Sequence, residues 1–142
     1  MRKTILALAL GLTATSAVAA DFKMFRHPGC GCCLAWVKHL KDAGHEVEIR
    51  NTEMMAEVKA KVGVPRSAYS CHTAIVEGYV IEGHVPAADI ERLLAEKPDA
   101  IGLAVPGMPM GSPGMEHGDH VQPYEVLLMK KDGTTTTWSR HG

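Results

Sequence analysis

Three cysteines crowd into four residues near the start of this 142-residue chain, and a fourth follows further along. Cys30, Cys32 and Cys33 form the sequence Cys-Gly-Cys-Cys, a C-x-x-C pair with an additional thiol inside it. A disulfide framework spreads its cysteines so that each bond closes a long loop, whereas this spacing closes almost none. The group therefore indicates chemistry, because thiolates both bind soft metal ions and attack disulfides.

The fourth thiol, Cys71, precedes His72 in the sequence Ser-Cys-His-Thr. If it meets the other three, four sulfurs and one imidazole lie together, a set that suits Cu(I) first and Zn(II) second. Simpler interpretations stay open. The C-x-x-C pair could be a redox disulfide with Cys32 as a spectator, and Cys71 could be a small buried apolar residue. His72 could be a satisfied core residue or a ligand.

A glycine- and proline-rich segment, the Met/His loop (residues 105–120, VPGMPMGSPGMEHGDH), carries a second set of candidate donors. They are Met108, Met110, Met115, His117 and His120. Thioether and imidazole groups bind copper where thiols oxidise. The methionines could instead pack the loop onto a core, which suits their flexible side chains. A long loop in a small domain is more often functional, and this favours a metal-related role for the segment as a whole.

These groups need a scaffold, and the apolar periodicity predicts one. The predicted elements are, in order, a strand over 22–26, a helix from Cys33 to Gly44, a strand over 47–49, a helix from Thr52 as its N-cap to Gly63, a hairpin of strands over 73–76 and 79–81, and a helix from Pro86 to Lys97-Pro98. His84 precedes the last helix and is expected to hydrogen-bond its first turn.

The resulting order, β-α-β-α-β-β-α, is that of a thioredoxin-like α/β domain. It puts the C-x-x-C motif where the first strand meets the first helix, and the unpaired N–H groups of a helix start favour the thiolate. The loop that holds Cys71 faces this motif in such a fold. Beyond the domain, the Met/His loop leads to a predicted β-hairpin of strands over 124–129 and 134–138 around Asp132-Gly133.

The N-terminus has the pattern of a secretory signal. A basic pair precedes an apolar run over 4–14, and small residues follow that permit cleavage near Ala19 or Ala20. We therefore expect the mature protein in the periplasm. The expected parts are residues 1–20 as the signal peptide, 21–98 as a thioredoxin-like metal-binding core, and 99–142 as the Met/His loop and C-terminal hairpin packed on that core.

Charge and hydropathy exclude some partners. The net charge is −1 and no basic patch of the kind that nucleic acid requires is present. After the N-terminal run, no apolar stretch is long enough to span a membrane. We expect no nucleic-acid partner and no membrane span.

Three segments, HPGCGCCLAWVKHL, SCHTAIVEGYVIEGHVPAADIERLL and GLAVPGMPMGSPGME, resemble the CopG-like periplasmic metal-binding proteins. This is a domain-of-unknown-function family associated with copper-resistance gene clusters. The resemblance implies a thioredoxin-like fold, copper binding, and a part in copper resistance through interconversion of Cu(I) and Cu(II). The residues to which it assigns copper are Cys30, Cys32, Cys33 and Cys71, and then His72, Met108 and Met115. His117 and His120 lie outside the pattern of the family.

The leading hypothesis is a periplasmic copper-binding protein that holds Cu(I) in a polynuclear thiolate cluster. Its expected partners are copper ions and other periplasmic copper-handling proteins. The alternative is a thiol–disulfide oxidoreductase with Cys30 as nucleophile and Cys33 as resolving thiol. A third hypothesis, a structural zinc site, is disfavoured because a core with three apolar helix faces should fold without metal. The residues leave open whether the protein is an enzyme.

Overall fold

The computed structural model describes residues 18–142, so residues 1–17 of the expected signal peptide lie outside the described residues. The strands are β1 (Asp21–Arg26), β2 (Glu46–Asn51), β3 (His72–Val76), β4 (Tyr79–Glu82), β5 (Gly102–Ala104), β6 (Tyr124–Met129) and β7 (Thr135–His141). The helices are α1 (Gly31–Asp42), α2 (Met55–Lys61) and α3 (Ala87–Glu96), with a short 3₁₀ turn at Arg66–Ala68.

The seven strands form one mixed sheet in the order β2-β1-β3-β4-β5-β6-β7. β1 pairs in parallel with β2, and α1 makes the crossover that a parallel pair requires. On its other side β1 pairs antiparallel with β3, so that Arg26 at the end of β1 lies opposite His72 at the start of β3. The segment before α1 and the segment before β3 therefore reach the same end of the sheet, and these two segments carry all four cysteines.

The core follows the predicted periodicity. α1 buries Cys33, Trp36, Val37 and Leu40, which lie on one helical face. The N-terminal part of β1 alternates, with Phe22 buried between exposed neighbours. Because Cys33 belongs to the apolar face of α1, packing of that helix against the sheet fixes the position of one sulfur.

One helix start was predicted wrongly. α2 has Met54 as its N-cap, so Thr52 is not the N-cap. The hydroxyl of Thr52 instead accepts the N–H of Met54 at 3.1 Å and closes a turn before the helix. Such local bonds from threonine to nearby backbone compete with capping, and periodicity does not distinguish the two.

The short strand β5 was not predicted, because its three residues are all buried and show no alternation. It joins β4 to the C-terminal hairpin, pairing in parallel with β4 and antiparallel with β6. The approach to β4 is close: a Cβ on Gly102 would lie 1.8 Å from the carbonyl oxygen of Val80. Only glycine fits at that position.

The C-terminal hairpin forms as predicted from β6 and β7, with an irregular register between Val126 and Leu127. The turn between β3 and β4 also forms as predicted, with positive φ at Glu77 and Gly78. Within residues 18–142, no helix combines the length and the apolar character that a membrane crossing needs.

Candidate metal centre

The four cysteine sulfurs lie together at one end of the sheet, all within 4.8 Å of one another. Cys30 and Cys33 form a disulfide. The free thiol of Cys32 lies 3.5 Å from the Cys30 sulfur. The second free thiol, Cys71, lies 3.8 Å from the sulfur of Cys32 and 3.8 Å from that of Cys33. The four thiols predicted to converge are therefore neighbours, and their role as ligands stays a prediction.

The first side of the site is the start of α1. Cys30 is the N-cap, and the following turn carries the other two cysteines of the motif. The buried guanidinium of Arg26 holds the preceding loop: it donates to the carbonyls of Pro28 at 2.8 Å and Cys30 at 2.9 Å, and to the side chain of Asn51 at 2.9 Å. Charge-assisted bonds of this kind keep the motif in one conformation.

The second side rests on a buried polar cluster, the Glu82 network, formed by Lys59, Ser70, Thr73 and Glu82. The carboxylate of Glu82 is fully buried and accepts the Ser70 N–H at 2.7 Å and the Thr73 hydroxyl at 2.6 Å. The ammonium of Lys59 pairs with the same carboxylate and donates to the Thr73 hydroxyl at 3.0 Å. Since Ser70 and Thr73 flank Cys71, this network fixes the loop that carries the fourth sulfur.

His84 brings an imidazole to the cluster that was not predicted from the sequence. Its Nδ1 lies 2.8 Å from the carbonyl oxygen of Pro113, to which it can only donate. This bond makes Nδ1 the protonated nitrogen and leaves a lone pair on Nε2, which lies 3.0 Å from the sulfur of Cys71. The expectation that His84 bonds the first turn of α3 is wrong. Its partner stands 29 residues further along the chain, so no local pattern could have identified it.

His72 is fully buried beside the same sulfur, with its Nδ1 3.2 Å from Cys71 Sγ. The ring of Trp36 packs on it at 4.4 Å between centroids. Within residues 18–142, the Nε2 of His72 is one of three buried side-chain atoms without a hydrogen-bond partner. An unpartnered buried nitrogen carries a free-energy cost, and a metal bound through Nδ1 would leave Nε2 as an N–H that still lacks a partner.

The pKa values of the two imidazoles and of the Cys71 thiol are shifted by burial, and the shifts determine which of these groups is protonated at neutral pH. Burial lowers the pKa of His72 well below its ordinary value, and His84 nearby adds to the shift. Burial also lowers the pKa of His84. Burial, and then the adjacent Cys32, raise the pKa of the Cys71 thiol from 9.0 to about 12. At neutral pH Cys71 is therefore a thiol between two neutral imidazoles, and a metal must displace its proton.

Part of the Met/His loop packs directly on the cluster. Pro113 is buried and holds His84, as described above. Gly114 is even closer to α1: a Cβ there would lie 2.7 Å from the backbone nitrogen of Trp36 and 3.0 Å from the carbonyl oxygen of Cys32. With φ at +88°, the position is suited to glycine on two counts.

The remaining predicted donors lie elsewhere on this loop. Met108 is half exposed. Met110 is held through backbone bonds to Gln122, and the N–H of Met115 donates to the carbonyl of Ser112 at 2.8 Å. His117 and His120 are exposed and belong to neither group of converging donors among the described residues. A ligand role for these five residues stays a prediction.

The donor set fits a soft metal ion. Two groups of potential ligands share Cys71: the four sulfurs, and Cys71 with the two imidazoles. Thiolate and imidazole together are suited to copper and zinc. With the Cys30–Cys33 disulfide closed, only two thiols can serve, so a site of four thiolates requires reduction of that bond.

Three comparisons with known proteins bear on this site. The profile of a family described as "Protein of unknown function, DUF411" matches residues 68–115, which include Cys71, both imidazoles and Gly114. Among solved structures, form 2 of a copper resistance protein CopG is 42% identical, with a TM-score of 0.84, over 88% of this chain and 100% of that one. Form 1 is 43% identical, with a TM-score of 0.83, over 87% and 98%. Curated proteins give no match.

Proposed function

The chain belongs to the family of the copper resistance protein CopG, as its motifs predicted, and from this premise we propose that it binds copper as Cu(I) in a thiolate cluster. The proposed thiolate ligands are Cys30, Cys32, Cys33 and Cys71. His72 and His84 are proposed as nitrogen donors at the same place. In this function the protein sequesters copper or hands it on as part of copper resistance.

The surroundings of one sulfur carry the proposal. The thiol of Cys71 has four potential ligand atoms within 3.8 Å: the sulfurs of Cys32 and Cys33, Nδ1 of His72 and Nε2 of His84. A thiolate so placed can bridge metal ions, because each neighbouring donor can complete the coordination of a different ion. We therefore expect more than one Cu(I) per chain.

A redox step is the finer part of the proposal. Two Cu(II) ions each accept one electron from the dithiol of Cys30 and Cys33 and become Cu(I). The dithiol releases two protons and closes to the disulfide. In the opposite direction, two Cu(I) ions and two protons reduce the disulfide and yield two Cu(II) ions. The proposal is supported by the presence of an oxidised pair, the Cys30–Cys33 disulfide, next to two reduced thiols, Cys32 and Cys71.

An anaerobic Cu(I) titration of the fully reduced protein, in competition with a chromophoric chelator, tests the proposal. Two or more tightly held ions per chain are expected. Cys71→Ser should lower the stoichiometry, because it removes the shared sulfur. His84→Gln should weaken binding about tenfold or more, by analogy with the loss of groups that support metal ligands.

The matched control is His27→Asn: His27 is exposed, and the Oδ1 of asparagine can keep the bond that its Nδ1 accepts from the N–H of Gly29 at 3.1 Å. This variant should bind as the wild type does. Wild-type protein that leaves all Cu(I) with the chelator contradicts the proposed function.

A second function, thiol–disulfide exchange, is favoured by the disulfide itself. Cys30 is partly exposed, whereas Cys33 is completely buried, which suits an attacking and a resolving thiol. If this is the activity, Cys32→Ser and Cys71→Ser keep disulfide reductase activity while losing Cu(I). Wild-type protein that is inert in a reductase assay contradicts it.

We further propose that residues 21–98 are thioredoxin-like, that residues 99–142 form an extension packed on them, and that the protein acts in the periplasm. The order β2-β1-β3-β4, with α1 directly after β1, supports the first proposal. N-terminal sequencing of the protein from a periplasmic fraction tests the location, and a start near Ala20 or Asp21 is expected. A cytoplasmic protein that keeps residue 1 contradicts it.

A further inference from the structure

A second pair of nitrogen donors lies on a tight turn of the Met/His loop, apart from the cysteines. His117 and His120 face each other across an isolated antiparallel bridge. The N–H of His120 donates to the carbonyl of His117 at 3.2 Å, and Gly118 inside the turn has φ at +55°. Directly opposed residues of this kind have Cβ atoms about 4.5–5.5 Å apart. Their two imidazoles can therefore reach one ion at metal–nitrogen distances of about 2 Å.

The charges around this turn favour a cation. Asp119 lies between the two histidines and Glu116 directly before them. Between Lys97 and Lys130 the sequence holds no lysine or arginine, so no basic side chain of this segment offsets the carboxylates. Both imidazoles are exposed, and neither has a hydrogen-bond partner in the part of the chain that the structure describes. Each is free to rotate towards a metal without disturbing any packing.

The turn is separate from the sulfur cluster but anchored close to it along the chain. Neither histidine belongs to a group of three converging donors among residues 18–142. The carboxylate of Glu116 accepts the N–H of Gly114 at 2.8 Å, and Gly114 is the residue that packs on α1. The turn thus begins just beyond the part of the loop that the cluster holds in place.

We propose that His117 and His120 form a second copper site, which takes Cu(II), with the carboxylate of Asp119 between them in sequence. Imidazole and carboxylate are donors that Cu(II) accepts, whereas a group of thiolates selects Cu(I). Among common divalent ions, Cu(II) also has the highest affinity for such donors. The choice of copper rests on the proposed function, but the site itself uses none of the cysteines.

The test uses the Cys32→Ser/Cys71→Ser protein, purified without a histidine tag, in which the remaining disulfide leaves no thiol to reduce Cu(II). Copper(II) sulfate is titrated and followed by electron paramagnetic resonance. We expect one Cu(II) per chain with hyperfine structure from two nitrogens. Adding His117→Gln/His120→Gln should weaken this binding at least tenfold.

His27→Asn in the same background is the control and should bind Cu(II) unchanged, because it removes an exposed imidazole elsewhere and keeps an acceptor for the N–H of Gly29. A change of less than twofold in the His117→Gln/His120→Gln protein overturns the proposal. So does loss of the signal on His84→Gln instead, since Cu(II) would then occupy the buried imidazoles.

A second measurement needs no cysteine substitution. In wild-type protein with its disulfide closed, Zn(II) serves as a probe that thiols cannot reduce, and nuclear magnetic resonance follows the imidazole Hε1 signals. The signals of His117 and His120 should shift together; if they stay unchanged at saturating Zn(II), the proposal fails. The Cu(I) stoichiometry of reduced His117→Gln/His120→Gln protein should equal that of wild type, so failure of this site and failure of the thiolate cluster are separately visible.

Discussion

The two regions that meet at Cys71 are built in opposite ways. The first region is the Glu82 network, which is buried and whose charges are paired. Its Glu82 carboxylate accepts hydrogen bonds from three different groups. The second region is the Met/His loop, which contains no helix or strand among its residues and exposes most of its nitrogen and sulfur donors. The Glu82 network holds its polar groups in a single geometry, whereas the Met/His loop leaves most of its donor side chains exposed.

This difference shows how the site can be both positioned and adaptable. A buried ion pair stabilises little in net terms, but breaking it leaves a charge without solvent, so the arrangement strongly resists change. The loop contacts the cluster through Pro113 and Gly114, and Gly107 ties it to the segment before Cys71 by bonds with Tyr69 and Ser70. The fourth sulfur is therefore fixed before a metal arrives, whereas the outer donors can rearrange.

The largest expected effect comes from breaking the Glu82 network. Glu82→Gln leaves the ammonium of Lys59 buried without its carboxylate, so the free energy of unfolding should fall by about 3 kcal/mol or more. Urea unfolding of the metal-free protein measures this. The control is Glu96→Gln, which breaks an exposed pair with Arg92 and should cost no more than about 0.5 kcal/mol.

A double variant sharpens the same comparison. Lys59→Met/Glu82→Met removes both charges and should recover much of the lost stability. It cannot accept the N–H of Ser70, so Cu(I) affinity should stay below that of the wild type. Equal costs for Glu82→Gln and Glu96→Gln would mean that the network holds nothing in place.

A smaller effect is expected at the contact between loop and cluster. Gly114→Ala introduces a Cβ against backbone atoms of α1 in a left-handed conformation, and should lower stability by about 2 kcal/mol. Gly107→Ala is the control: its φ is +69° but the added Cβ meets nothing within 4 Å, so about 1 kcal/mol is expected. Indistinguishable thermal melts of the two variants would show that the loop is not packed on α1.

The effect that is smallest at neutral pH comes from the titration of Cys71, which lowers the stability of the fold only at alkaline pH. Because burial raises the pKa of Cys71 from 9.0 to about 12, its protonated thiol stabilises the fold fully below pH 9, and this contribution is lost as pH rises towards 12. Alkylation of Cys71 in the native protein, followed site by site with mass spectrometry, should be more than tenfold slower at pH 9 than in urea. An alkylation profile with its midpoint near pH 9 in the folded protein contradicts the shift.

Sequence patterns predicted much of the scaffold because they are local. The spacing of Trp36, Val37 and Leu40 identifies α1, and the Glu77-Gly78 turn identifies the hairpin of β3 and β4. The four cysteines were grouped correctly because their residue type restricts what they can do. The position of His84 beside Cys71 was not predicted, because it depends on a hydrogen bond to the carbonyl of Pro113, which only the folded loop brings near.

The Glu82 network was not predicted from the sequence for a related reason. Its members come from α2, from the segment before β3, and from β3 and β4. Lysine on a short helix is usually solvated, yet Lys59 is almost completely buried. Polar groups that are satisfied only by distant partners leave no periodic signal, so they are found only in the folded chain.

The place of β5 in the sheet bears on how the chain must be made. β4 is nearly all buried, and among residues 18–142 the strand that pairs with its second edge is β5, which follows α3 in sequence. A nascent or truncated chain that ends at Glu96 would therefore present β4 as an uncovered edge strand with apolar side chains, a template for pairing with another chain. A strand of three residues thus covers this edge, so we expect a chain that stops before Gly102 to aggregate instead of forming a smaller stable domain.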